Sequence, residues 1–180
     1  MACDIANGRV EPCKDAIGGL DAIYFVNFGI EDSDVTYTSG TDEISDINGV
    51  TSLYKYELKG TNSFEQTITS SRENGTTYFE QVLSVELKKQ DLATTKTVKL
   101  LSYGRPHIVI RNRANQFKIA GLLRGMDLTA GTISDGVAMG DFNGYKLTFT
   151  GMENVPANFL DCSTEAELAT LFSAATIVTA

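Results

Sequence analysis

FEQTITSSRENGTTYFEQVLSVELKKQDLATTKTVKLLS, from Phe64 to Ser102, reads as two strands joined at Asn74-Gly75, the second running into a helix. Asn-Gly supplies the positive φ angles of a two-residue hairpin turn. After it, Phe79, Gln81, Leu83, Val85 and Leu87 fall on one face. Tyr78, Glu80, Val82, Ser84 and Glu86 fall on the other. The alternation predicts a strand from Thr76 to about Lys89, roughly 45 Å long at ~3.3 Å per residue. Strands in globular domains usually hold about 5–6 residues. A strand this long in a 180-residue chain overhangs its own core, and overhanging hairpins commonly pack on a neighbour. The feature points to an assembly subunit rather than a solitary enzyme.

Downstream, Gln90 to Ser102 breaks the period of two. Leu92, Thr95, Val98 and Leu101 share a helical face, and Lys96 and Lys99 point outward. Asp91 suits the positive N-terminus, Gly104 is placed as the residue after the helix, and Pro106 stops it. Strands are expected at His107 to Ile110, Gln116 to Ala120, Met126 to Thr129 and Tyr145 to Gly151, with a turn at Asn112 to Asn115. Six glycines between Gly121 and Gly144 imply short, sharply turned strands there. Thr164 and Glu167 form a capping-box pattern for a helix at Glu165 to Phe172. The β-branched tail around Ile177-Val178 is suited to adding a strand or docking on a partner.

Upstream, Leu53 to Leu58 alternates, with Tyr54, Tyr56 and Leu58 on one face, and continues antiparallel into the hairpin. Ala22 to Phe28 is a strand rich in aromatic and β-branched residues. Val35 to Thr38 is a short strand within an acidic loop, and Asp46-Ile47-Asn48-Gly49 reads as a turn. The sum is a mainly β protein of eight to ten strands, an antiparallel barrel or two-sheet sandwich with one packed helix and a short C-terminal helix. It is expected to be a single domain over residues 1–180, with an N-terminal arm (about 1–20) and a C-terminal segment (about 154–180).

Net charge is −8, against a basic nucleic-acid surface. Its distribution says more. Between Lys14 and Lys55 there is no Lys or Arg, and the interval holds Glu31, Asp32, Asp34, Asp42, Glu43 and Asp46. From Lys88 to Arg124 the balance inverts, with Lys88, Lys89, Lys96 and Lys99 leading the block and Asp91 the sole acid. Two solvated faces account for this; so does head-to-tail complementarity between copies. No apolar run approaches the ~20 residues of a membrane span, and Met1-Ala2-Cys3-Asp4 carries no secretory signature. Cys3, Cys13 and Cys162 do not form a disulfide framework or zinc pattern. Cys3 and Cys13 are close enough in sequence to pair, although free thiols of a reducing cytoplasm are the default.

Chemistry is hard to place. The single histidine, His107, begins an apolar strand, where a hydrogen-bonded structural role outweighs a catalytic one. No serine lies in a Gly-x-Ser-x-Gly elbow, and there is no phosphate loop. Asp127, Asp135 and Asp141 lack calcium-loop spacing and suit turns better. No catalytic, cofactor-binding or metal-binding residues are therefore nominated, and no cofactor is expected.

The segment LLSYGRPHIVI from Leu101, then Gly125-Met126, AMGDFNGY from Ala138, and LTFTGME from Leu147, resembles small structural proteins of tailed bacteriophages, particularly those related to the crAss-like phages of Bacteroidetes bacteria. The order of strands, long hairpin, helix and strands is similar to the tail-tube fold, over about Ile23 to Glu153. The resemblance implies a non-enzymatic virion protein of the tail, a tube or ring subunit made in the host cytoplasm. It would assemble with itself, sixfold, and with other tail or connector proteins, as a conduit for DNA that passes without sequence-specific binding and without a membrane. It implies that Phe64, Arg72, Asn74, Gly75, Tyr78 and Phe79 belong to an inter-subunit hairpin. The acidic loop with Glu31, Asp32, Asp34, Asp42, Glu43 and Asp46 would face the lumen or the next ring. Lys88, Lys89, Lys96 and Lys99 are the complementary basic surface. The competing reading is a monomeric β-barrel or sandwich that binds a small ligand or glycan, which requires a closed interior with convergent polar groups.

Overall fold

The computed structural model describes residue 5, residues 7–11 and residues 13–179. The alternative of a Cys3–Cys13 pair, set against free thiols as the default, falls on Cys3, outside the described residues. Twelve strands and two helices follow in the order β1 (Leu20–Val26), β2 (Val35–Tyr37), β3 (Ile44–Ile47), β4 (Ser52–Glu57), β5 (Ser63–Ser71), β6 (Thr76–Lys88), α1 (Leu92–Leu101), β7 (His107–Asn112), β8 (Phe117–Ala120), β9 (Asp127–Ser134), β10 (Gly144–Glu153), β11 (Asn158–Leu160), α2 (Glu165–Leu171) and β12 (Thr176–Val178). A single 3-10 turn, Asp32–Asp34, precedes β2. The fold is mainly β, as expected. It is a two-sheet structure without a closed barrel.

One sheet has eight strands in the order β12-β4-β1-β7-β8-β11-β3-β2; the other has four, β5-β6-β10-β9. Pairing is antiparallel except for β11 with β3 and β12 with β4. Contrary to expectation, β4 does not continue into the hairpin's sheet. It pairs with β1, and the chain changes sheets between Glu57 and Ser63.

The eight-stranded sheet is rolled. β3 and β4 stand five places apart in it, which on a flat sheet is about 24 Å at ~4.8 Å per strand. Only Asn48 to Thr51 connects them, a span of at most roughly 17 Å. The concave side is filled by α2. Leu168, Leu171 and Phe172 pack there with Tyr24, Val109, Phe117, Ile119, Ile44 and Ile47. The expected capping box forms: Thr164 Oγ1 accepts from the Glu167 amide, and the Glu167 carboxylate accepts from the Thr164 amide. Glu165, at the first turn, accepts from Tyr24 Oη at 2.9 Å, and its Oε1 lies 2.6 Å from Lys55 Nζ and 3.3 Å from Arg111 Nη1. Burial alone would raise the Glu165 pKa, but the Lys55 and Tyr24 hydrogen bonds and the Arg111 charge hold it below the usual range. These contacts tie the start of α2 to β1, β4 and β7.

The convex side of the roll packs on the four-stranded sheet. Ile23, Phe25, Ile108 and Ile110 meet Leu83, Val85, Tyr145, Leu147 and Phe149. α1 closes one end of this second core through Val98 and, in part, Leu101. Asp91 caps it as expected, accepting from the Thr94 amide at 2.7 Å. Leu92, expected on the buried face, is 90% exposed. The N-terminal half of α1 is held by polar contacts instead, since Tyr145 Oη donates to the Asp91 carbonyl and lies 2.6 Å from Thr95 Oγ1. Gly104 keeps a negative φ and is not a left-handed cap.

Candidate functional site

The hairpin is longer than its support. β6 pairs with β10 only from Phe79 to Lys88, and with β5 from Thr76 to Ser84. The ribbon from Ile68 to Tyr78 therefore projects past the sheet, and every residue in it except Ser71 is exposed. The tip differs from the two-residue turn read from Asn74-Gly75. Ser71 pairs with Thr76, leaving a loop from Arg72 to Gly75 in which Gly75 alone has positive φ (63°). This is the longer hairpin connection built round an ordinary turn, with glycine at its left-handed position.

Gln81 marks where the ribbon leaves the core. Only 1% exposed, it accepts from the Gly121 amide at 2.9 Å and donates to the Val155 carbonyl at 3.5 Å. Its cross-strand neighbour Gln66 accepts from the Ala157 amide at 2.7 Å. Beyond this polar pair the same face carries Ile68 opposite Phe79. Ile68 is 65% exposed and Phe79 half-buried, an apolar pair that the subunit's own core does not use. Of the hairpin residues named from the sequence, Phe64 packs against the home core. Arg72, Asn74, Gly75 and Tyr78 belong to the ribbon, and Phe79 stands at its base, paired with both Ile68 and Glu153. Ile68, the most exposed apolar side chain on it, escaped the sequence reading although its period-two spacing from Phe64 carried the signal.

The four-stranded sheet also ends on two long strands with no outer partner among the described residues, β5 with nine residues and β9 with eight. Neither contains proline, lysine or arginine, and each carries a single acid, Glu65 and Asp127. β9 extends well beyond the expected Met126 to Thr129. Beside it runs an open, shallow groove of about 720 Å³, bordered by Ile133, Val137, Phe142 and Lys146. Val137 and Met139, on the following loop, are fully exposed. That loop is braced by Asp141, whose carboxylate accepts from the Val137 and Ala138 amides; these bonds lower its pKa. Asp141 thus serves the turn, as the sequence implied.

The six acidic residues come together. Glu31, Asp32 and Asp34 build the 3-10 turn, Asp42 and Glu43 lead into β3, and Asp46 stands opposite Thr36 in β2. Among the described residues none pairs with a lysine or arginine. Burial, then Asp32 and Asp42, raise the Tyr37 phenol pKa. The group lies at the β2 edge of the eight-stranded sheet. Lys88 ends β6 and Lys89 follows it at a positive φ, Lys96 and Lys99 ride on α1, and none of the four is in a salt bridge among the described residues.

His107 is fully buried. Its Nδ1 lies 2.6 Å from the Gly121 carbonyl, and Nε2 accepts from the Gly29 and Ile30 amides at 3.1 and 3.2 Å. That arrangement fits the neutral Nδ1–H tautomer, and burial lowers the pKa despite the Gly121 bond. The ring stacks on Phe28, over which Arg105 sits at 5.0 Å. The imidazole thus has both nitrogens committed to backbone. Cys162 is half-buried, and burial with nearby Glu167, Asp161 and Glu43 pushes its thiol up to about 12. No group of three or more His, Cys, Asp or Glu side chains is placed to hold a metal among the described residues. A second, more enclosed cleft of about 130 Å³ is lined by residues 26–30 and 48–52, well below the ~300 Å³ of small-ligand pockets.

No protein-family model, curated protein or solved structure matches the chain.

Proposed function

We propose that this chain is a structural subunit of a bacteriophage tail, a tube or ring protein whose copies close into a sixfold ring and conduct DNA. One observation carries the reading: a single sheet has two long, uncapped, nearly uncharged edges. Such edges invite pairing with another chain, and monomeric proteins shorten, charge or cover them. Closure into a ring removes them.

The geometry of the sheet is compatible with closure. β5 and β9 run antiparallel to one another, so β9 of one copy beside β5 of the next continues an antiparallel sheet. The edges are also staggered. The centre of β5, Thr67, lies opposite Glu80, whereas the centre of β9, Gly131, lies level with Val85 through Leu147. That five-residue offset is about 17 Å, set against about 19 Å for four strand widths. Full pairing of the edges therefore tilts the strands by roughly 40°, inside the ~35–45° range of closed barrels.

The inner face of the sheet is already buried against the roll, so the other face would line the bore. It carries Glu65, Glu80, Glu86 and Asp127 against Lys88 and Lys146, amid Thr67, Thr148, Thr150 and Ser84. A hydroxyl-rich surface with excess acid repels phosphate and gives passing DNA nothing to grip. On this reading the Glu31 to Asp46 group, in the outer layer, faces a neighbouring ring rather than the lumen. The test is negative-stain imaging with mass photometry of the purified chain. Closed rings or stacked tubes are the expected outcome. A monomer at high concentration that stays monomeric when mixed with preformed tail ends would sink the proposal.

A further inference from the structure

The sequence contains four Asn-Gly pairs: Asn7-Gly8, Asn48-Gly49, Asn74-Gly75 and Asn143-Gly144. Asn-Gly is chemically labile because glycine leaves its amide nitrogen unhindered for attack on the preceding side-chain amide. The fold treats the pairs differently. Asn48 donates to Asp46 Oδ2 and accepts from Ser173 Oγ, both at 2.9 Å, and its amide donates to the Asp34 carbonyl. Asn143 Oδ1 accepts from the Gln90 amide at 3.1 Å, and its carbonyl accepts from Lys89 at 2.7 Å. Gly144 is pinned between Lys88 and Ser134, so tightly that a Cβ there would meet the Leu87 carbonyl. Neither pair can bring the glycine nitrogen to the side-chain carbon without breaking several bonds.

Asn74 is the opposite case. It sits at the tip of the ribbon, its side-chain amide makes no hydrogen bond among the described residues, and its only side-chain-mediated restraint is the amide's 3.2 Å bond to Ser71 Oγ. Nothing lies within 4 Å of a Cβ built on Gly75. We propose that Asn74 is a site of spontaneous deamidation in the free subunit, selected by the fold over Asn48 and Asn143. The Gly75 nitrogen bonds to Asn74 Cγ, the Cγ–Nδ2 bond breaks, and ammonia leaves with the displaced proton. Water then opens the resulting succinimide at either carbonyl, giving aspartate or isoaspartate. Water is the only co-reactant, and no electrons change hands. Both products place a new negative charge beside Glu73. Isoaspartate also adds a methylene to the backbone inside a loop whose ends are fixed by the Ser71–Thr76 pair. Insofar as the ribbon docks on a neighbouring copy, which rests on the ring reading above, an aged subunit would present a misshapen tip.

The experiment follows the full chain in mildly alkaline heavy-oxygen water, with monomeric and larger fractions separated before digestion and mass spectrometry of the Asn-Gly peptides. In the monomer, the Asn74 peptide should gain a heavy-oxygen acid roughly tenfold faster than the Asn48 and Asn143 peptides, the factor that a held local structure imposes. In denaturant the rates should converge. Gly75→Ala should slow modification at Asn74 alone, read against the other peptides of the same sample. Equal rates at Asn48, Asn74 and Asn143 in the folded monomer overturn the proposal. In any ring fraction, Asn74 should slow toward Asn48; an undiminished rate there overturns burial of the ribbon while leaving the modification itself intact.

Discussion

The eight-stranded sheet ends on strands of three residues, Val35–Tyr37 and Thr176–Val178, whereas the four-stranded sheet ends on strands of nine and eight. The first is buried on both faces at its centre, in β1, β7 and β8, by the roll's interior on one side and by the smaller sheet on the other. The second is buried on one face and open on the other. Brief edges offer little to a foreign strand, and two-sided burial makes a sheet the stable centre of a molecule. Long edges and a bare face mark a surface kept for contact. The roll is therefore where this protein's stability resides, and the small sheet is where its interactions are expected.

Substitutions can break that division of labour. The largest effect is expected from Phe172→Ala, which empties the roll. Removing a fully buried phenylalanine costs about 3–5 kcal/mol, read as a shifted urea midpoint. A cost below ~1 kcal/mol would mean that the roll is not the stable centre. Next comes His107→Ala, which strands the Gly29 and Ile30 amides and the Gly121 carbonyl. About 2–4 kcal/mol is expected from lost packing and unpaired backbone.

The same histidine gives a pH dependence. Its folded pKa lies below its ordinary 6.5, so the unfolded chain takes the proton first. Its contribution to stability is complete above about 6.5 and is lost as pH falls from there toward the folded value. Wild-type protein should lose midpoint between neutral and mildly acidic pH, and a His107→Asn variant should lose less. Equal slopes for the two would remove His107 as the cause.

The smallest folding effects are expected in the small sheet. Deleting Ser71 to Thr76 should leave the circular dichroism unchanged and cost less than ~1 kcal/mol, while ring assembly fails. Smaller still, Thr67→Lys with Thr132→Lys charges both open edges at exposed positions for within ~0.5 kcal/mol. Rings that still form from this variant would show that the edges do not pair.

Legibility in the sequence followed the same divide. The hairpin was readable because its alternation is unbroken over β6, and both helices were readable from their caps. β3 was not. Ile44 and Ile47 both face the roll although they are three positions apart, because Ser45 is an extra residue in the pairing with β2: Thr36 stands opposite Asp46 and Tyr37 opposite Ile44. A bulge resets the period of two, and the Asp-Ile-Asn-Gly string looked like a turn. β9 hides similarly, with Thr129 the extra residue between Ala130, opposite Thr148, and Leu128, opposite Phe149. β11 is three residues long, too brief for any pattern. The acidic group was legible as composition, but its gathering on one outer edge depends on β2 pairing with β3. The open edges of the small sheet are a property of pairing and have no local signature.

The rolled sheet has a consequence for how the chain is made. The core between the sheets draws on residues 20–149, and the roll's interior is completed only by Leu168, Leu171, Phe172 and Ala175. Synthesis proceeds from the N-terminus at about 5–20 residues per second. The open-edged sheet is thus fully translated while the roll still lacks its plug, and the stretch most prone to premature partners waits on the stretch that fixes the fold. A prematurely terminated chain would carry sticky edges on an unsupported body, the kind of species that a cell's proteases remove first.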